Sequence, residues 1–166
     1  MTYLVGLPLL ALAAVLQSTV LARWHVLGGA LDLVLLVVLG WTLAGDWLGG
    51  LLWGFTGGLF LDLLSGGPFG AMTVGLTLMA FLASLSEGRF WRSHVLLPLA
   101  TVGPATLGLH LVNLIFLTAA GRSVDWGASL LQFTLPALLL NTLGMLPLYN
   151  LLRGLQAALY PPVITS

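Results

Sequence analysis

The chain has 166 residues, of which 59% are apolar and only 6% charged, with five arginines, five acidic residues, no lysine and no cysteine. A soluble domain carries about 25% charged residues, so this composition cannot cover a water-facing surface, and lipid is the solvent that suits it. Zero net charge offers nothing to nucleic acid, and the lack of cysteine removes disulfides, thiolate metal sites and cysteine nucleophiles together.

A bilayer core about 30 Å thick takes about 20 helical residues. The chain predicts six such spans, at about 3–22, 26–45, 47–64, 69–85, 95–120 and 128–152. The first ends at Arg23 and His25. It lacks a preceding basic residue and exceeds a signal-peptide core of about 7–15 residues, so it is read as a retained span. The second holds Asp32 near its start, just before an unbroken apolar run from Leu33 to Leu39, and Asp32 is expected to cap that helix. Gly45-Asp46 makes a tight turn into the third span, which Ser65-Gly66-Gly67-Pro68 breaks. After the fourth span comes the most polar stretch, with Glu87, Arg89, Arg92 and His94. Pro98 and Pro104 interrupt the fifth, and a short tail from Arg153 follows the sixth.

An even number of spans puts both termini on one side. Arg89, Arg92 and Arg153 lie with them against Arg23 and Arg122 opposite, which favours cytoplasmic ends. A β-barrel would need alternating segments of about ten residues, and these runs are continuous. The expected fold is therefore all-α, one polytopic bundle over residues 1–166. Trp41, Trp47, Trp53, Trp91 and Trp126 are expected near the membrane interfaces.

The third span carries the most distinctive pattern. Gly50, Gly54 and Gly58 recur every four residues and Asp62 continues the ridge. Small residues at that spacing let helix backbones approach closely. Three readings are open: packing within the bundle, an interface for a separate membrane protein, or a permeation path. Asp62 lies three residues before the break, where Ser65-Gly66-Gly67 amides are expected to donate to it and staple the loop; proton or ion coupling is the alternative. On the fifth span His110 and Asn113 share a face. With Gln17, Gln132, Asn141 and Asn150 they are expected to make interhelical hydrogen bonds, a small polar ligand cavity being the other reading.

Catalytic patterns are missing. Gly127-Ala128-Ser129 is similar to the serine box of intramembrane proteases, but Leu130 replaces its second glycine and no histidine follows. His25, His94 and His110 lack metal-ligand spacing. A phosphate loop needs a lysine that the chain does not have. No enzyme activity, metal or cofactor is expected.

Three segments together resemble the rod shape-determining protein MreD family of bacteria: Leu16-Gln17-Ser18-Thr19, Asp32-Leu33-Val34-Leu35-Leu36, and Gly54 through Gly70. They lie within about residues 15–90. The family commonly has proline before the second-span aspartate, where this chain has Leu31. The resemblance implies a non-enzymatic scaffold subunit of the cell-elongation machinery in the bacterial cytoplasmic (inner) membrane, supporting peptidoglycan synthesis and cell shape. It implies MreC as the direct partner and RodA, penicillin-binding protein 2 and MreB as indirect ones. It also implies a fold similar to the substrate-binding subunits of ECF vitamin transporters, and hence an alternative function as the solute-binding subunit of a transporter.

Overall fold

The computed structural model describes residues 2–23, 27–44, 46–85 and 96–159. His25, the 87–92 loop expected to be cytoplasmic, Trp91 and His94 lie outside the described residues.

Six helices make up the regular structure of the described residues. They are α1 (Thr2–Thr19, continued by a one-turn 3₁₀ helix at Leu21–Arg23), α2 (Leu33–Leu43), α3 (Trp47–Ser65), α4 (Ala71–Leu85), α5 (Leu96–Ala119) and α6 (Trp126–Leu159). Among them α1 with its 3₁₀ turn, α3, α5 and α6 are long and apolar enough to cross a membrane, whereas α2 and α4 are shorter apolar helices. The expected second span at 26–45 is thus corrected. Its helix has 11 residues and rises about 16 Å, half of a bilayer core. The last helix runs past the expected 128–152, because Asp125 caps it early and no breaker ends it before Leu159.

The short helix is the centre of the molecule. Every residue from Val34 to Leu43 is buried, and α2 packs against all five other helices. A helix that is apolar all round has no side to show to water, and this one shows none to lipid either. Residues 27–32 lead into it as irregular backbone, which is tolerated at membrane depth only where protein covers it. The cover is α6. Gly28 adopts φ +92°, and a Cβ there would lie 2.5 Å from the Gln132 carbonyl oxygen; one on Gly29 would lie 2.5 Å from the Ala137 nitrogen.

At that contact α6 widens into a π turn, Leu130–Thr134. Pro136 explains it. Proline has no N–H for the carbonyl four residues back, and its ring crowds that carbonyl. Register therefore shifts, with the Leu135 N–H donating to the Leu130 carbonyl.

At the other end of α2 the chain turns through Asp46, which caps α3. Its Oδ1 accepts from the Gly49 N–H at 2.9 Å, and its Oδ2 from Trp41 Nε1–H at 3.0 Å. Trp41 and Trp53 stack with centroids 4.1 Å apart and are both buried. The expectation that they mark an interface is corrected. Trp41 belongs to the central helix and Trp53 faces it, so both are core residues. Trp47 and Trp126 are exposed.

Candidate functional site

The glycine ridge is filled from within the chain. A Cβ on Gly58 would overlap the Thr73 Cα, one on Gly54 would lie 2.9 Å from the Leu76 carbonyl oxygen, and one on Gly50 would overlap Thr42. Gly54 and Gly58 thus carry α4, while Gly50 carries α2. The reading of this ridge as a surface for a separate protein is corrected, since the chain's own helices occupy it.

Asp62 lies on the same face of α3 and is buried. Its Oδ2 accepts from the Gly70 N–H (3.0 Å), the Thr73 N–H (3.0 Å) and the Thr73 hydroxyl (2.6 Å), and its Oδ1 from the Met72 N–H (2.9 Å). A carboxylate at a helix N-terminus satisfies orphan amides and complements the dipole. Here it is supplied by the preceding helix. The expected donors, the amides of Ser65-Gly66-Gly67, are corrected to those of 70–73. Gly66 takes the left-handed C-cap conformation (φ +64°) and Gly70 has φ +94°, so the chain reverses and presents the first turn of α4. The Gly67 N–H goes to the Ser65 hydroxyl oxygen.

Asp32 does something different from the capping expected of it. Its side chain makes no cap hydrogen bond. The cap role falls to Gln17 on α1, whose Oε1 accepts from the Val34 N–H at 2.8 Å. The Asp32 carboxylate turns instead toward α5 and α6, where Oδ2 accepts from Asn141 Nδ2–H at 2.8 Å and lies 3.2 Å from His110 Nε2. Asn141 is fully used. Its Oδ1 accepts from the Asp32 N–H at 2.8 Å, and its second Nδ2–H points at Thr106 Oγ1 at 3.0 Å. On the far side of the imidazole, His110 Nδ1 lies 3.0 Å from Thr134 Oγ1.

The network therefore ties the loop before α2 to α5 and to the π turn of α6. His110, which the sequence singled out, is in it; Asn113, one turn on, is half-buried and bonds to none of these groups. Asn141 was among the polar residues noted, but its pairing with Asp32 spans 109 residues and leaves no local signal. Gln132 and Asn150 are exposed on α6. Asp32 also lines a cavity of about 300 Å³ with Gln17, Ser18, Leu61, Ser65 and Met72 among its walls.

Compared with known families, residues 1–158 match the model of MreD, the rod shape-determining protein. The chain belongs to the MreD family. Neither the curated proteins nor the solved structures contain a match. For this chain the family assignment gives a role in rod-shape determination. Its geometry also bears on chemistry. No group of three metal-ligating side chains occurs among the described residues. Both nitrogens of His110 face Thr134 and Asp32 rather than Ser129. The segments that carried the MreD resemblance are the ones that hold the intramembrane polar groups together: Gln17 caps α2, Asp32 links it to α5 and α6, and Asp62 clamps α4.

Proposed function

We propose that this chain is a non-enzymatic scaffold of the cell-elongation machinery in the bacterial inner membrane, binding the membrane span of MreC and the segment next to it. Through MreC it acts with RodA, penicillin-binding protein 2 and MreB filaments in peptidoglycan synthesis. The observation that carries this reading is the family match over residues 1–158.

The geometry supports it in two ways. The links between α3 and α4 and between α5 and α6 are only a few residues long, which leaves little surface outside the bilayer for recognition. Asp32, Asp62, His110 and Asn141 are engaged within the bundle, and the glycine ridge is occupied, so a partner helix meets outward apolar side chains such as Phe55, Phe81, Leu139 or Leu151, all exposed. The test is co-purification of the two full chains in mild detergent, with cysteine crosslinking from those four positions. A stable complex crosslinked from one face, and loss of rod shape when this chain is removed, is the expected result. Monodisperse separate chains would overturn it.

Both termini are assigned to the cytoplasm in this reading. Because the chain has no cysteine, Ser123→Cys should label from outside and Thr2→Cys should not; the reverse pattern inverts the topology.

A further inference from the structure

We propose that the cavity beside Asp32 binds a protonated amine, either a free small organic amine or the ethanolammonium head of a phospholipid, through the carboxylate oxygen that the protein leaves unused. Both hydrogen bonds to the Asp32 side chain go to Oδ2, from His110 and Asn141. Oδ1 accepts none from the described residues, and Asp32 lines the cavity.

The contacts of the Asp32–His110 pair reach the π turn of α6. In an ordinary helix a threonine hydroxyl bonds the carbonyl four residues back, as Thr106 and Thr142 do. For Thr134 that carbonyl is Leu130, which already accepts from the Leu135 N–H. The Thr134 hydroxyl lies instead 3.0 Å from His110 Nδ1, and on the other side of the ring Nε2 lies 3.2 Å from Asp32 Oδ2. No other ionisable partner reaches Asp32 among the described residues. Asp32 Oδ1 is thus left without a donor from the described residues inside an apolar bundle, where an unpaired polar atom is costly.

A cation in the cavity removes that cost, and its shape follows from the walls. A space of about 300 Å³ is far larger than a bare ion. Leu61 and Met72 suit a short carbon body, while the hydroxyl oxygens of Ser18 and Ser65 on the same wall can accept further ammonium protons. A primary ammonium has three donors to distribute; a quaternary one has none. The inference does not rest on MreC binding, and the complex is scored separately.

The experiment uses the full chain, first in detergent titrated with ethanolamine, then in nanodiscs of phosphatidylglycerol containing either phosphatidylethanolamine or phosphatidylcholine. Calorimetry reads the free amine and native mass spectrometry the retained lipid. Saturable binding at one amine per chain is expected, weakened by about tenfold or more in Asp32→Asn, since a charged hydrogen bond is lost. Ala22→Trp fills the cavity wall without touching the network and should weaken binding as much; Asp125→Asn, an exposed helix cap, should not. Ethanolamine binding assigns the free amine, and retention of phosphatidylethanolamine alone assigns the lipid. The proposal is overturned if neither amine binds saturably, if phosphatidylcholine is retained equally, if sodium chloride alone gives the same signal, or if both Asp32→Asn and Ala22→Trp bind as the parent chain does.

Discussion

The two aspartates inside the bundle solve the same problem in opposite ways. Asp62 accepts four hydrogen bonds from residues eight to eleven positions away, so its charge is spread over the start of the next helix. Asp32 takes its partners 78 and 109 positions away, bonds them through one oxygen, and lines a cavity. The first is a closed joint between neighbouring helices. The second is an open junction between distant ones. A carboxylate with both oxygens bonded to the protein has less capacity left for a ligand than one whose second oxygen takes no protein donor.

Substitutions can break this contrast, and the largest effect is expected at Asp62. Asp62→Leu orphans three amides and a hydroxyl, each costing about 1–3 kcal/mol when buried. The sum should reach at least about 3 kcal/mol, and the protein should lose its folded population in detergent unfolding assays. Wild-type stability in this variant would show that the α3–α4 joint is unimportant.

The glycine ridge comes next, because it sets the distance that lets Thr73 reach Asp62. Gly58→Leu and Gly54→Leu should cost about 1–3 kcal/mol by overpacking, occasionally more, with Gly58 the worse since a Cβ there meets the Thr73 backbone. Leu52→Ile and Leu59→Val serve as comparisons and should fall below about 1.5 kcal/mol. Equal accumulation of all four in membranes would remove the ridge from the account.

At the open junction, Asn141→Ala should cost about 1–3 kcal/mol, because it strips a donor from Asp32 and an acceptor from its amide. Hydrogen exchange at the start of α2 should rise with it, and no change there would separate the network from the position of α2.

The smallest effects sharpen the comparison most. Asp62→Asn can keep its oxygen where Oδ2 takes three bonds, turning its NH₂ toward the Met72 N–H alone. About 1–2 kcal/mol should go and cell shape should persist. Asp32→Asn should cost less in stability, about 1 kcal/mol, since one oxygen is unbonded to the protein. A larger stability loss at Asp32 than at Asp62 would reverse the roles assigned to them.

Apolar runs of helical length cannot face water, and the residues alone determined this much: a helical membrane protein with breaks at Gly45-Asp46 and at Ser65-Gly66-Gly67-Pro68. The small-residue ridge followed from spacing, and so did an Asp62 bonded to amides beyond its helix, although the donors are Gly70, Met72 and Thr73 rather than Ser65-Gly66-Gly67. Local chemistry is legible because the chain cannot place neighbours far apart.

Tertiary structure alone decided the rest. Leu33 to Leu43 reads like any span, and only packing against five helices makes it the core. Asp32 before that run reads like a cap, until Gln17 takes the cap and Asn141 and His110 take the carboxylate. Pro136 reads like a kink, but the π turn before it packs against Gly28 and carries Thr134, whose hydroxyl meets His110. These contacts join segments 17 to 109 residues apart, and no periodicity within a helix encodes which other helix it will meet.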